Sequence, residues 1–406
     1  MKRCVSLYCL LLLATPVLAQ SDIDPQPIRD CIAAAIAKGT IPGAVVYVAQ
    51  AGKPLIVEAN GNASPEVPLK TDALFRIASM SKPITSVAIM MLVDEGKVKL
   101  DDPVSKYIPE FADQKVKVKD GLVAPTRPVT VRDLLTHTSG IAYGLNPPAS
   151  VQSEFVKAKL ADGLNPEDPT LENNTKGVAS IPLVHQPGAA WTYGMNTDVL
   201  GRVVEVASGQ SFDRFLAERL FTPLKMVDTS FVVPAEKAHR LVAHYHRAGS
   251  SKAEPIPSDP FTSGSTIISP KRSLSPMKYF SGGAGLVSTA SDYARFLQML
   301  LNEGELDGVR ILKTSTVRDM TSNQIGPLNC AFANHHGDKF GYGFGIYTKT
   351  AVPTPGSYSW GGMYHTYFWV DPQKKLVAVV MAQLWPWGNS TLWGDFQKAV
   401  YKAMGK

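Results

Sequence analysis

One apolar segment of the chain begins with the sequence Phe75-Arg76-Ile77-Ala78-Ser79-Met80-Ser81-Lys82-Pro83-Ile84-Thr85 and stops at Asp94-Glu95-Gly96. Its apolar residues recur with the i, i+3, i+4, i+7, i+8 period of an α-helix: Ile84, Val87, Ala88, Met91 and Leu92. Other apolar residues fill the remaining faces, and Gly96 is a typical C-terminal stop. Because a helix that is apolar on all faces belongs in a protein interior, the segment predicts a buried helix.

Ser79 and Lys82 lie at the start of this predicted helix. Pro83 is tolerated only in an opening turn, where its missing N–H would have had no partner, so Ser79 lies near the helix N-terminus. Residues three apart share a helix face. A hydroxyl beside an amine, close to the free N–H groups of a helix N-terminus, is what an acyl-transfer nucleophile needs. The pattern predicts a Ser-x-x-Lys hydrolase, with a helix-capping serine as the alternative.

The same spacing occurs a second time, from Ser275 to Lys278. It is followed by Tyr279-Phe280-Ser281-Gly282-Gly283, which predicts a loop and not a buried helix. A loop does not hold two side chains rigidly, so we do not expect Ser275 to be a nucleophile.

The composition is that of a globular protein. The 406 residues are 45% hydrophobic, which is enough for one large core or two modest ones, and the charged fraction of 19% is too ordinary for disorder. The net charge of +6 is small and scattered along the chain. We therefore expect no nucleic-acid partner.

Residues 1–19 have the features of a secretory signal peptide: a basic start at Lys2-Arg3, an apolar centre and the small-residue exit Val17-Leu18-Ala19. Cleavage after Ala19 would leave residues 20–406 as an exported protein, periplasmic or secreted. No later segment approaches the roughly 20 apolar residues that a bilayer requires, so no membrane span is expected. Cys31 and Cys330 would remain, either as a disulfide or as two buried thiols.

Strand patterns occur at both ends of the chain and helical patterns between them. A helix at 28–38 precedes strands at 43–49 and 54–59, and strands at 364–370 and 376–384 precede a closing helix at 391–404. Residues 97–227 predict helices and long connections without a persistent strand. This order predicts an α+β fold in which residues 20–80 and 228–406 form a mixed antiparallel sheet flanked by N- and C-terminal helices. Residues 81–227 form a mostly helical inserted part, with the cleft between the two.

Two further segments have the chemistry of a site. Tyr193 lies on a glycine-containing loop before a predicted helix at 198–207, where it either directs a polar group toward a cleft or caps the helix. Trp360-Gly361-Gly362 places two glycines in a strand, which indicates either a bulge or the close approach of another group to the backbone. A seryl nucleophile needs a base and an oxyanion hole, so both segments are candidates.

Five motifs in order resemble those of the class C β-lactamase-like serine hydrolases. They lie at residues 75–82, 133–140, 187–193, 281–290 and 360–362. The similarity is greatest to the family VIII esterases, with penicillin-binding carboxypeptidases and D-aminopeptidases as relatives. It covers nearly the whole mature chain and implies the β-lactamase/penicillin-binding-protein fold.

The resemblance also implies roles for individual residues. Ser79 would attack the acyl carbonyl, while Lys82 and Tyr193 together accept and return its proton. The backbone N–H groups of Ser79 and Met363 would form the oxyanion hole, and Trp360-Gly361-Gly362 would be the substrate-binding third motif. An acyl-serine intermediate would follow, and neither a metal nor a cofactor is implied.

The chain departs from the lactamases at two motifs. Met195 takes the place of the asparagine of Tyr-x-Asn, with Asn196 one residue late, and Trp360 stands where the lactamases have the lysine of Lys-Thr-Gly. An uncharged aromatic residue there favours neutral acyl groups, so we expect a carboxylesterase acting on small neutral esters. The alternatives are a β-lactamase or D-alanyl or D-amino-acid peptidase, and a non-hydrolytic binder of peptidoglycan or β-lactam. The sequence leaves the oligomeric state open.

The remaining histidines and aromatic residues give weaker signals. His244 and His246, with His239 nearby, have no acidic ligand beside them and predict the surface of a strand and not a metal site. Six aromatic residues are candidates for an apolar acyl pocket, although we expect at least half of them to be ordinary core: Trp360, Tyr364, Tyr367, Trp369, Trp385 and Trp387.

Overall fold

The computed structural model describes residues 23–145, 147–247, 252–332, 336–386 and 390–405. The predicted signal peptide, residues 1–19, lies outside the described residues, as does Trp387. The α-helices in these ranges are α1 (Gln26–Ala37), α2 (Ser81–Asp94), α3 (Val131–Thr136), α4 (Gln152–Ala158), α5 (Leu171–Ser180), α6 (Asn196–Ser208), α7 (Phe212–Leu216), α8 (Ala290–Leu301), α9 (Thr314–Met320) and α10 (Leu392–Ala403).

The strands in the same ranges are β1 (Gly43–Gln50), β2 (Lys53–Ser64), β3 (Val67–Pro68), β4 (Phe75–Arg76), β5 (Val116–Val118), β6 (Gly121–Val123), β7 (Tyr245–His246), β8 (Glu254–Pro255), β9 (Phe261–Ser263), β10 (Thr266–Ile268), β11 (Val287–Ser288), β12 (Glu305–Leu306), β13 (Val309–Arg310), β14 (Lys339–Phe340), β15 (Gly345–Ile346), β16 (Tyr358–Gly362), β17 (Thr366–Asp371) and β18 (Leu376–Met381).

One eight-stranded sheet joins the two ends of the chain. Its strands lie in the order β14-β15-β16-β17-β18-β1-β2-β3, and neighbouring strands are antiparallel. Within β1, Val46 pairs with Val380 of β18 on one side and with Glu58 of β2 on the other. The first strand of the chain therefore pairs with the last. This confirms the predicted α+β fold with a sheet built from both termini.

The sheet is the middle layer of the molecule. Successive side chains of a strand point to opposite faces. Tyr367 and Trp369 of β17 accordingly pack in a core with α1 and α10, while Phe368 and Val370 pack in a larger core that includes α2. The predicted terminal helices thus cover one face, and α8 packs against β1 and β18 on the other, within the larger core.

Helix α2 runs through the larger core. Every residue from Ser81 to Leu92 is buried, which confirms the prediction of a helix apolar on all faces. Pro83 is the third residue of this helix and so lies in its first turn. A short 3-10 helix, Ala78–Met80, leads into α2 and carries Ser79.

Residues 97–227, for which no persistent strand was predicted, contain one short hairpin. Strands β5 and β6 form a hairpin there, with Lys117 opposite Leu122. Strands of three residues are too short to show a period of two in the sequence. The rest of this part consists of helices and connections, and its proposed boundaries at residues 81 and 227 stay a prediction.

Three smaller expectations can be compared with the structure. Ser275 and Lys278 are both exposed and lie outside any regular element, as predicted for the second Ser-x-x-Lys spacing. Cys31 and Cys330 are free thiols, and Cys330 is buried. None of the helices in the described ranges is long and apolar enough to span a membrane.

Candidate active site

The chain bends sharply just before Ser79. Ala78 has φ of 43°, a left-handed conformation that is uncommon for a residue other than glycine. Its neighbours are fixed, because the Ile77 N–H donates to Leu286 O at 3.0 Å and the Tyr293 hydroxyl donates to Met80 O at 2.8 Å. Ala78 and Met80 are buried while Ser79 is partly exposed. The bend thus presents one accessible residue between two buried ones.

Ser79 Oγ lies between an amine and a phenol. It accepts hydrogen bonds from Lys82 Nζ at 3.2 Å and from the Tyr193 hydroxyl at 2.8 Å. Lys82 is only 1% exposed, and its Nζ lies 4.6 Å from the ring centroid of Tyr193 and 5.3 Å from that of Tyr143. The structure therefore brings together the three side chains that sequence analysis singled out, and it adds Tyr143 as a second ring beside the amine.

A buried carboxylate, Asp198 at the start of α6, holds the loop that positions Lys82. Lys82 Nζ donates to Gly283 O at 2.8 Å. Asp198 Oδ1 in turn accepts from the Gly283 N–H at 3.3 Å, from Ser281 Oγ at 2.6 Å and from the Tyr279 hydroxyl at 2.8 Å. A Cβ on Gly283 would lie 2.5 Å from Asp198 Oδ2, so glycine is required at this approach. Asp198 was not predicted from the sequence, although the glycines at 282 and 283 were a signal of a close contact there.

The pKa of the Asp198 carboxyl is subject to opposing effects. Burial is the largest cause and raises the pKa of its carboxyl, while the Ser281 hydrogen bond and the charge of Lys82 act in the opposite direction. Its Oδ2 atom is buried and has no hydrogen-bond partner. The carboxylate therefore makes all of its described hydrogen bonds through one oxygen.

The loop that carries Tyr193 is fixed by the end of α3. His137 is the C-cap of this helix with φ of 57°, and its carbonyl accepts from the Thr192 N–H at 2.8 Å. Its Nδ1 lies 2.8 Å from Asn196 Nδ2 and accepts from the Gly194 N–H at 3.4 Å. Burial, with a smaller effect of the Lys82 charge, lowers the pKa of His137 well below its usual value, which is consistent with Nδ1 as an acceptor. Asn196, one residue later than in the lactamase motif, thus supports the loop.

The third motif approaches the nucleophile segment through its glycines. A Cβ on Gly362 would lie 2.3 Å from Ile77 O, two residues before Ser79. Met363, which follows, packs in a cluster with Ala78. Trp360 is 2% exposed, and its ring lies 5.7 Å from that of Tyr193. The motif therefore lies against the segment just before Ser79 and against the ring of Tyr193, and the oxyanion role of the Ser79 and Met363 N–H groups stays a prediction.

The aromatic residues predicted as candidates for an acyl pocket do not all lie on the same face of the sheet. Tyr367 and Trp369 belong to the core on the far side, with α10, and so do not line the site. Trp360 lies on the near side, and Tyr364 packs in the Ala78 cluster together with the partly buried Trp385. Sequence analysis missed Trp191 and Phe332, whose rings lie 6.1 and 5.4 Å from that of Tyr193.

The prediction that His244 lies on the surface of a strand is wrong. His244 is 5% exposed, and its ring lies 4.2 Å from that of Tyr364, while His246 on β7 is partly exposed. The strand β7 comprises only Tyr245 and His246, so His244 precedes it and does not follow its alternation of buried and exposed side chains. In the part of the chain that the structure describes, no group of three or more His, Cys, Asp or Glu side chains could hold a metal ion.

Comparison with known proteins identifies relatives that match most of the chain. The sequence model of the family described as Beta-lactamase matches residues 28–400. Esterase EstB of Burkholderia gladioli is 33% identical over 365 residues, which cover 86% of this chain and 87% of that one. Lovastatin esterase of Penicillium rubens is 31% identical over 387 residues, which cover 85% of this chain and 90% of that one.

A solved structure matches the fold over nearly its whole length. It is EstCE1, described as a hydrolase with promiscuous acyltransferase activity, and its TM-score is 0.82 at 28% identity, with 93% of this chain and 98% of that chain covered. The fold and these relatives define a class of protein, the hydrolases built on a β-lactamase-like scaffold. The chain belongs to the beta-lactamase family.

Proposed function

We propose that this protein is a carboxylesterase that cleaves small, neutral esters through an acyl-serine intermediate on Ser79. The observation that carries the proposal is the convergence on Ser79 Oγ of Lys82 Nζ at 3.2 Å and the Tyr193 hydroxyl at 2.8 Å. A weakly nucleophilic hydroxyl becomes reactive when a group within hydrogen-bond reach can take its proton. Two such groups contact the same oxygen.

The first half of the reaction forms the acyl-enzyme. Ser79 Oγ adds to the ester carbonyl, and its proton passes to the Lys82–Tyr193 pair. The negative charge on the carbonyl oxygen is stabilised by the backbone N–H groups of Ser79 and Met363. The bond to the alcohol then breaks, and the pair returns the proton to the departing oxygen.

The second half releases the acid. Water attacks the acyl-serine carbonyl, gives its proton to the same pair, and Ser79 leaves as the protonated hydroxyl. Gly283 O accepts from Lys82 Nζ at 2.8 Å and would hold the amine in place through both halves. Loss of a single oxyanion donor typically costs about 100- to 1000-fold in rate, so a contribution of that size is expected from Met363.

The preference for esters over β-lactams rests on Trp360. The resemblance places this residue where the lactamases bind a substrate carboxylate with a lysine, and here the position holds an uncharged ring that is 2% exposed. An uncharged ring offers no ion pair to a carboxylate. Two relatives are themselves named as esterases, esterase EstB and lovastatin esterase, which supports the same choice.

A substrate panel with matched variants tests the proposal. We expect purified protein to hydrolyse p-nitrophenyl butyrate and to be labelled by a fluorophosphonate, and Ser79→Ala to lose both. Ser275→Ala is the matched control, because this serine has the same spacing to a lysine but lies exposed in a loop. Rapid turnover of nitrocefin or of a D-alanyl dipeptide without ester cleavage would favour the lactamase or peptidase. A wild type that is never labelled would favour a non-hydrolytic binder.

A further inference from the structure

Aromatic rings are gathered around Tyr193, and we call the group of Trp191, Tyr193, Phe332 and Trp360 the aromatic wall. The Trp191 and Tyr193 rings are nearly parallel, at 16° and 6.1 Å between centroids. Phe332 meets both edge-on, at 90° and 5.8 Å from Trp191 and at 85° and 5.4 Å from Tyr193. Trp360 lies behind them, 5.7 Å from Tyr193 and 6.0 Å from Phe332.

Part of this wall is open to solvent. Phe332 is 39% exposed, and Trp191 and Tyr193 are partly exposed, whereas Trp360 is 2% exposed. The wall therefore has a buried backing and an accessible rim. Its four side chains carry no charge, so the rim offers π faces and edges to a neutral group.

The leaving alcohol of an ester must lie beside this wall. Its oxygen takes a proton from the Lys82–Tyr193 pair and so has to come within hydrogen-bond reach of them. The Tyr193 hydroxyl is 2.8 Å from Ser79 Oγ, and its ring is part of the wall. Whatever is attached to the leaving oxygen is thus placed next to the rings of Trp191 and Phe332.

We propose that the site selects esters whose alcohol portion carries an aromatic ring close to the ester oxygen, as in esters of arylmethanols. This inference rests on the proposed ester hydrolysis and specifies the substrate class of the same site. An additional ring can stack on, or meet edge-on, the exposed members of the wall. Aromatic pairs of this kind favour an aromatic over a saturated ring by about 2- to 10-fold beyond the effect of buried area.

A pair of matched esters tests the preference. Benzyl butyrate and cyclohexylmethyl butyrate have rings of similar size on a primary alcohol. Each kcat/KM is divided by the rate of alkaline hydrolysis of the same ester, which removes the difference in reactivity between the two leaving alcohols. We expect kcat/KM for the benzyl ester to be higher by about 2- to 10-fold in the wild type. Phe332→Leu should bring the ratio close to one. Because Phe332 is 39% exposed, this substitution should not unfold the protein. Phe111→Leu, which removes a ring from another part of the core, should leave the ratio unchanged.

The outcomes separate this inference from the proposed function. Equal rates for the two esters in the wild type would overturn the inference while leaving the esterase intact. A preference that persists in both Phe332→Leu and Trp191→Leu would also overturn it, because the wall would not be its cause. A ring preference seen only on the acyl side, with methyl phenylacetate against methyl cyclohexylacetate, would do the same. Failure to hydrolyse any ester, p-nitrophenyl butyrate included, would instead refute the proposed function.

Discussion

Asp198 offers a test of how the lysine is held in place. Its carboxylate is fully buried, and the Tyr279 hydroxyl, Ser281 Oγ and the Gly283 N–H all donate to the same oxygen, Oδ1. Asp198→Asn can keep that oxygen and puts an amide nitrogen where Oδ2 had no partner. Asp198→Ala removes the acceptor altogether. The two substitutions therefore separate the hydrogen bonds from the charge.

The expected magnitudes follow from these contacts. A hydrogen bond to a charged group contributes about 1.5–3 kcal/mol, and a donor left buried without an acceptor costs about 1–3 kcal/mol. Because the carboxylate also carries a burial penalty, which raises its pKa, we expect a total of about 3–5 kcal/mol for Asp198→Ala. Asp198→Asn keeps the acceptor for all three donors but buries an amide NH2 group without an acceptor, so we expect a smaller loss of about 1–3 kcal/mol.

Activity should follow the same order. When Gly283 loses its bond to Asp198, its carbonyl no longer fixes Lys82 Nζ, and a displacement of about 1 Å can cost about 100-fold in rate. Asp198→Asn should lose much less. Urea unfolding at pH 7 and hydrolysis of p-nitrophenyl butyrate measure the two effects. The exposed Asp120, replaced in the same two ways, is the control and should show neither loss. Equal destabilisation by Asn and Ala would refute the reasoning, because the charge and not the hydrogen bonds would then hold the loop.

Two further predictions concern pH and packing. Burial raises the pKa of the Asp162 carboxyl from 3.8 to about 6. The folded state therefore binds this proton more tightly than the unfolded state does. The resulting stabilisation is present below about pH 4 and is lost as the pH rises through 6. In urea unfolding, the stability of wild type relative to Asp162→Asn should therefore fall by about 2 kcal/mol between pH 4 and 7, and a constant difference would contradict the assignment. Gly362→Ala should destabilise by about 1–3 kcal/mol and impair activity, because its Cβ would meet Ile77 O at 2.3 Å. Gly394→Ala, with nothing within 4 Å of the new Cβ, should be neutral or stabilising, and similar losses in both would show that the close approach is not the cause.

Local patterns in the sequence were sufficient for the main elements. The buried helix from Ser81 was predicted because its apolar side chains recur with the period of an α-helix, and the segments that form β17 and β18 were predicted because they are short apolar runs. These signals depend on residues close in sequence. The same holds for Ser79 and Lys82, which are three residues apart and separated by less than one turn of helix. Strands of three residues, such as β5 and β6, were missed because so few positions show no period.

The serine and lysine at a helix start, the sheet-forming ends of the chain and the aromatic residue at position 360 could all be read from the amino-acid sequence. The contacts around the serine became known from the three-dimensional structure, because hydrogen bonds between distant segments leave no periodic pattern in the sequence. Tyr193 reaches Ser79 from 114 residues away, and Gly283 O meets Lys82 Nζ from 201 residues away. The buried Asp198 and the exposed ring of Phe332 likewise acquire their roles from the packing of distant loops onto α2 and β16, which no local pattern encodes.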